Sequence, residues 1–455
     1  MTISIESALL SVINNYKSIP LVVAYSGGVD SQVLLHAIAK LWHAKKITNP
    51  ITVCHVNHGL SENATSWQNF AQQTCLKLNI PFVARQVSIQ LQAQKSLEAL
   101  ARDARYKVLQ SLYKEQSLVI TGHHRDDQAE TFLLALKRGS GLKGLSAMAD
   151  ESLHGKDIFM RPLLDISRKE IVNYAKEQKL TWVEDESNCD TQFDRNFIRQ
   201  KVMPLLSERW PSITQTINRS SSLCSEGQSL LDELAEQDLQ SCQLTKQSLS
   251  VNILSSLSIA RFNNLIRYFL AQHNCLMPSA EQLRQVHQQL LADENKNPEI
   301  SVANNYLRRY RDGLYLTRDL TDVSSWAINI NQLDVHLDKA VNVVELPDNL
   351  GQIIFSCNQQ DNLSGLCQNL SLPHSTDNIT LKFCHTNPTC LPDYRNHSRS
   401  LKKILQELNI PPWQRKRIPF LYYGDTLVAA IGYFVCKNFL AKKNEPSINV
   451  HWKQK

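Results

Sequence analysis

The 455-residue sequence predicts an α/β domain built on a parallel sheet, followed by a mainly helical region and a small basic α+β end. Three observations predict it. Apolar, β-branched runs alternate with helix-period segments through the first half. From Trp210 the pattern turns helical, and cations concentrate between Arg395 and Lys455. Strands are expected at 21–25, 51–57, 81–87, 117–121 and 181–184, and helices at 29–42, 63–78, 97–114, 126–137 and 167–177. Such alternation implies parallel strands joined by crossover helices, and ligands of these sheets bind beyond the carboxyl ends of the strands. Three loops fall at such ends: Ser26-Gly27-Gly28, His55-Val56-Asn57-His58 and His123-His124.

The first strand, Leu21 to Ala24, is continuously apolar and so reads as buried on both faces. Val29, Val33, Leu34, Ala37 and Ile38 then recur at helical spacing, which puts Gly27 and Gly28 at a strand-to-helix turn. Glycines there let the backbone approach a ligand that a Cβ would keep away. A helix start presents free N–H groups and partial positive charge, so that ligand is an anion, most simply phosphate. The competing reading is a tight turn whose serines only cap the helix. Later helices are expected at 213–234, 259–273 and 279–291, and a hairpin at 300–317 with Asp312-Gly313 as its turn. A polar stretch at 321–377 carries weaker strands, and the last segment a helix at 401–408 and strands at 420–423 and 427–434. Domain boundaries are accordingly expected at 1–215, 216–330 and 331–455.

Hydrophobic content of 42% and charged content of 20% are those of an ordinary globular chain. No apolar stretch reaches transmembrane length, and the N-terminus lacks a basic region followed by an apolar core, so a cytoplasmic protein without membrane contact is expected. The eleven cysteines are scattered without a C-x-x-C, which argues against a disulfide framework or a local zinc knuckle. Cys384 and Cys390 flank His385 as candidate ligands, against the simpler reading of reduced thiols. The net charge of +6 matters through its distribution. Arg395, Arg399, Lys402, Lys403, Arg415, Lys416, Arg417, Lys437, Lys442 and Lys443 suit a polyanion larger than a nucleotide, or else form a solvated face.

No G-x-x-x-x-G-K-[ST] occurs, and the G-x-G-x-x-G at Gly139–Gly144 follows a helix instead of a strand, which excludes a dinucleotide site. It reads as a glycine loop beside the crevice, able to close over a substrate. The string Ser26-Gly27-Gly28-Val29-Asp30-Ser31 resembles the PP-loop of ATP pyrophosphatases, the adenine nucleotide alpha hydrolase-like fold that cleaves ATP to AMP and pyrophosphate. Further motifs resemble the tRNA(Ile)-lysidine synthase family in its long form. They are His55-Val56-Asn57-His58-Gly59-Leu60, then Glu98 to Tyr106, Thr121 to Thr131, Arg161-Pro162-Leu163-Leu164, Trp182 to Asn188 and Arg195-Asn196-Phe197-Ile198-Arg199. Segments 261–291, 401–405 and 411–413 extend the resemblance over nearly the whole chain. One departure is Ser61, where the family pattern leads us to expect arginine.

The resemblance implies a ligase that forms a carbon–nitrogen bond between L-lysine and C2 of the wobble cytidine, position 34, in a CAU-anticodon tRNA(Ile). The route is an adenylated tRNA, with AMP and pyrophosphate released. The product reads AUA in place of AUG and carries isoleucine identity in place of methionine. ATP and Mg²⁺ are the implied cofactors, with Asp30 the metal contact, since magnesium takes one or two carboxylates plus phosphate oxygens. Ser26, Gly27, Gly28, Val29, Asp30 and Ser31, with His55 and Asn57, are the expected nucleotide contacts. Lysine poses a second problem: at an amine pKa of about 10.4, only on the order of one molecule in a thousand is neutral near pH 7.5. The site must therefore hold lysine and remove a proton. Asp127 and Glu130, three residues apart on one helix face, suit that task, with Asp126 expected as the helix cap and His124 as proton carrier or adenylate contact. Glu98, Arg102 and Arg105 form one polar stripe and Arg195, Asn196 and Arg199 a second cluster, and both are expected to meet phosphate or cytidine, with Arg102 the substrate contact of the first.

Related tRNA 2-thiolation would need cluster-binding or reactive cysteines, usually C-x-x-C. An amidotransferase would need a glutaminase domain or an ammonia source, and Thr2 after the initiator supplies no N-terminal nucleophilic cysteine. A non-catalytic RNA-binding protein would leave the loop and the acid pair unexplained. Methionine tRNAs also carry CAU, so choice of tRNA is expected to fall to the middle helices with Arg308, Arg309 and Arg311 and to the basic end. The chain is expected to act as a monomer or homodimer.

Overall fold

The computed structural model describes residues 4–59, 61–88, 97–290, 298–302, 304–330, 342–356, 367–373, 378–442, 445 and 447–454. Leu60, Cys357, Lys443 and the side chain of Glu98 lie outside the described residues. The chain divides into two compact units, Met1–Glu233 and Leu234–Lys455.

The first unit opens with helix α1 (Ile5–Ile13) and continues as β1 (Leu21–Ala24), α2 (Val29–His43), β2 (Ile51–Asn57), α3 (Ala64–Lys77), β3 (Phe82–Gln86), α4 (Leu97–Gln110), β4 (Leu118–Ile120) and α5 (Arg125–Lys137). A short α6 (Leu142–Leu145), β5 (Glu151–His154), β6 (Asp157–Met160) and α7 (Arg168–Glu177) follow. The sheet order is β3-β2-β1-β4-β6-β5, parallel except for the β5 edge. Because β1 alternates its side chains, Leu21 and Val23 enter one core with Val33, Leu34 and Ile38 of α2, while Val22 enters another with Leu109 and Phe159. Burial on both faces explains the continuous apolar run. The order reverses between β1 and β4, where an open parallel sheet leaves a crevice at its carboxyl end.

Two expectations are corrected here. Residues 181–184 form no strand; the Val183 amide donates to the Gly27 carbonyl (3.0 Å), so this segment lies over the glycine turn. The edge position it would need is taken by the β5–β6 hairpin, which turns at Gly155. The Gly139–Gly144 loop sits at the opposite end of α5 from the strand ends, a helix length of roughly 20 Å for its 13 residues, so it is not beside the crevice.

In the second unit, Ile259–Gln272 and Ala280–Leu290 pack on a five-stranded sheet, sharing a core of Phe262, Ile266, Phe269, Val286, Leu307 and Leu314. The hairpin Asn305–Tyr310/Gly313–Arg318 turns on Arg311-Asp312, one residue earlier than Asp312-Gly313, because Tyr310 pairs with Gly313 and Arg311 takes the left-handed φ of 52°. Asp312 is spent on the neighbouring segment, accepting from the Asn252 amide (2.7 Å) and Ser250 Oγ (2.9 Å). Arg308 and Arg309 are buried, which contradicts their expected part in choosing tRNA. Arg308 donates to Glu299 (2.7 Å) and stacks on Tyr306, and Arg309 donates to the Leu290 carbonyl. Arg311 donates to the Gln406 carbonyl (3.1 Å).

The C-terminal part has a five-stranded sheet around Phe420–Tyr423, a four-stranded sheet around Ser447–Lys453, and a helix at Leu401–Glu407. Its cations are less available than their count suggests. Arg395 and Arg399 both engage Glu407, and Arg417 engages Asp348. Lys402, Lys403 and Lys416 remain exposed. Cys390 is buried against Cys436, and among the described residues no group of three potential ligands surrounds a metal position.

Candidate active site

The turn after β1 is shaped by its own serines. Ser31 Oγ accepts the amides of Gly27 (3.1 Å) and Ser26 (3.3 Å) and donates to the Gly28 carbonyl (3.0 Å). Gly27 has φ +91°, and a Cβ there would lie 2.8 Å from Val183 Cγ2, so both backbone and space demand glycine. Gly28 caps α2 without a side chain, which leaves the first-turn amides of Val29 and its neighbours for an anion. Asp30 stands in that first turn, and its Oδ1 is buried without a hydrogen-bond partner. An orphaned carboxylate oxygen beside a phosphate cradle fits a hard, oxygen-seeking cation.

His55, at the end of β2, is buried beneath the turn, with Nδ1 3.0 Å from the Tyr25 carbonyl; burial pulls its pKa down. Asn57 is turned to its own loop, where Oδ1 accepts the Gly59 amide (2.8 Å). Ser61 donates to Glu186 (2.7 Å), tying the β2 loop to residues 186–189 where the expected arginine would have stood.

The cap of α5 is His124, not Asp126. Its Nδ1 accepts the Asp127 amide (3.4 Å), and Asp127 Oδ2 accepts the His124 amide (3.1 Å), a capping box with histidine in the serine role. Asp126 instead accepts the Arg168 amide (2.8 Å). Nε2 of His124 has no hydrogen-bond partner and lies 3.6 Å from Asp30 Oδ1 and 3.5 Å from Asp127 Oδ2. Burial opposes a second proton on this ring, but Asp30, Asp127 and Asp126 outweigh it and raise the pKa. A raised folded-state pKa gives stability that is complete below the unfolded value of about 6.5 and lost as pH rises through the folded value. Histidine NMR titration should place His124 above 6.5, and Asp127→Asn should bring it down. A midpoint at or below 6.5 in the unaltered chain contradicts this geometry.

Asp127 and Glu130 are both buried on α5, and two arginines from the helical segment 194–202 meet them. Arg195 donates to Glu130 Oε2 (3.0 Å) and Asp127 Oδ1 (3.3 Å). Arg199 donates to Glu130 Oε1 (2.6 Å), Glu130 Oε2 (2.8 Å) and Asp127 Oδ1 (3.1 Å). Burial works against the charge on Asp127, yet His124, Arg195 and His123 hold its carboxyl below the usual range. Asn196 is not brought to this cluster; its Nδ2 donates to the Asp190 carbonyl (2.9 Å).

His123 is a neighbour the sequence reading passed over in favour of His124. It bonds Thr121 Oγ1 through Nδ1 (2.8 Å). Burial pulls its pKa down to about 3; Asp127 resists, and Arg161, Arg195 and Arg102 add to the fall. Two adjacent histidines leaving a strand project to opposite sides, and that alternation was the available signal. Arg102 donates to the Tyr106 hydroxyl (3.1 Å) and lies over its ring.

Residues 1–206 match the family model of the PP-loop domain, 249–315 that of the TilS substrate binding domain, and 379–452 that of the TilS substrate C-terminal domain. The tRNA(Ile)-lysidine synthase of Edwardsiella ictaluri is 41% identical over 433 residues, covering 95% of this chain and 94% of its own. That of Coxiella burnetii is 38% identical over 434 residues, covering 94% and 92%. The chain belongs to the tRNA(Ile)-lysidine synthase family. Within this lysidine synthase fold, the PP-loop match covers every residue of the crevice described above, from Ser26 to Arg199. No described helix is long and apolar enough to cross a membrane.

Proposed function

We propose that this chain is an ATP-dependent ligase that joins L-lysine to C2 of the wobble cytidine of CAU-anticodon tRNA(Ile) through an adenylated tRNA. The observation that supports it best is a buried acid pair, Asp127 and Glu130, set beside a side-chain-free phosphate turn and the orphaned Asp30 oxygen. Cytosine C2 carries a carbonyl oxygen, a very poor leaving group, and transfer of AMP to it makes a group an amine can displace. The amides at the start of α2 and the hydroxyls of Ser26 and Ser31 hold the pyrophosphate end of ATP. Asp30 would hold Mg²⁺, which supplies charge neutralisation for departing pyrophosphate. Asp127, kept ionised by its cationic neighbours, grips the lysine ammonium, and Glu130 beside it accepts the proton. Arg195 and Arg199 balance both acids until lysine takes their place.

We assign catalysis to residues 1–215 and tRNA binding to 216–330 and 331–455, in a cytoplasmic enzyme. Thiolation finds no support: the described cysteines are free thiols without a C-x-x-C pair. The test is mass analysis of a CAU-anticodon transcript incubated with the protein, ATP, Mg²⁺ and lysine. The expected product gains one lysine less one water, at the wobble cytidine. Pyrophosphate release with an unchanged transcript mass would overturn the reading.

A further inference from the structure

Arg161 follows β6 at the carboxyl rim of the sheet and is 5% exposed. A buried guanidinium is costly unless an anion accompanies it. The groups it meets are neutral: the Ala149 carbonyl (2.6 Å), Ser152 Oγ (3.2 Å) and the Tyr106 phenol. Its Nε is buried without a partner. Among the described residues no carboxylate forms an ion pair with it, although Asp150 lies near enough to feel its charge. Across from it, Tyr106 of α4 packs on Phe159 of β6 (ring centroids 4.8 Å) and takes the Arg102 guanidinium on its hydroxyl.

We propose that Arg161, Arg102 and Tyr106 form a carboxylate subsite, and that it receives the α-carboxylate of the lysine substrate. This rests on the proposed function. The Thr121 amide donates to the Met160 carbonyl (3.1 Å), so Arg161 leaves β6 next to the β4 end that carries His123 and leads into α5, and His123 feels Asp127 as well as Arg161, Arg195 and Arg102. Lysine has the matching polarity, an ammonium and a carboxylate separated by its methylene chain. Two other anions are disfavoured by position. An RNA phosphate is kept from Arg161 by its burial, though not from the exposed Arg102, and the phosphate turn belongs to β1, two strands away, roughly 10 Å at about 4.8 Å per strand. The guanidinium fork and the phenol O–H suit the two oxygens of a carboxylate.

The test compares L-lysine with L-lysinamide, which keeps both amines and lacks the carboxylate, using the full chain, ATP, Mg²⁺ and tRNA. Unaltered protein should show a KM for lysinamide about tenfold to a hundredfold above that for lysine, the range of one charge-assisted contact. Arg102→Gln, at an exposed position, and Arg161→Lys should raise the lysine KM by a similar factor, leaving the lysinamide and tRNA KM values unchanged. If Arg161→Lys does not fold, Arg102→Gln decides. Equal effects on lysine and lysinamide would overturn the subsite, and a rise in tRNA KM alone would make it an RNA phosphate contact instead. Unaltered protein inert toward both amines would overturn the proposed function, and the subsite with it.

Discussion

Asp30→Asn should reduce pyrophosphate release by about a hundredfold to a thousandfold, the loss typical of removing one preorganised electrostatic contact. The fold should survive. Asparagine has the shape of aspartate; the first turn of α2 loses a favourable charge at its start, worth about 0.3–1 kcal/mol, and His124 loses one of its three carboxylate neighbours. Asp30 Oδ1 is already without a hydrogen-bond partner, so no internal bond is broken. The thermal midpoint and tRNA affinity should therefore stay close to those of the unaltered chain. The variant should also lower the His124 pKa, because Asp30 is one of three carboxylates that raise it. A pyrophosphate assay and a thermal melt on the same preparation decide the matter. Release at the unaltered rate would leave Asp30 as a helix-start residue and nothing more.

What the sequence disclosed follows from the range of the forces involved. The strand–turn–helix at Leu21–Ile38 was legible because periodicity and glycine placement are local. Residues 181–184 looked like a strand because Trp182 and Val183 are β-formers, but a strand needs a free edge, and the β5–β6 hairpin holds it. Asp127 with Glu130, and Arg195 with Arg199, each stood out as a pair on one helix face. That the two pairs neutralise each other did not, since 65 to 72 residues separate the partners. Arg308 and Arg309 misled for the same reason: a basic hairpin reads as an RNA face until Glu299 and the Leu290 carbonyl are found against it. Arg161 gave no signal, because its lack of an anion is visible only once its burial is known.

Glu130→Gln should lower both stability and lysine use, and the double variant Glu130→Gln/Arg199→Gln should separate the two effects. Glu130 is 2% exposed and accepts three hydrogen bonds from Arg195 and Arg199. Removing one partner of a fully buried pair costs about 3–5 kcal/mol. Here the arginine side chains are 19% and 27% exposed, so water screens part of that, and about 2 kcal/mol is expected. For a unit of this size the melting temperature should fall by about 4–8 °C. Lysine transfer should drop about a hundredfold, as for loss of a positioned base, while adenylation changes only severalfold, so adenylated tRNA accumulates. Asp127→Asn should behave alike in transfer, with an added pH signature. Its folded-state pKa is depressed, so its contribution is present above the unfolded value of about 3.9 and lost as pH falls through the folded one. The acid limb of the stability curve should flatten in that variant. The double variant removes one of the two guanidiniums that Glu130 accepted and leaves Arg195 to Asp127, so it should recover part of the lost stability. It should not recover lysine transfer, because the carboxylate that takes the proton is still missing. Transfer that returned along with stability would show that the acid pair holds the arginines in place and does no more.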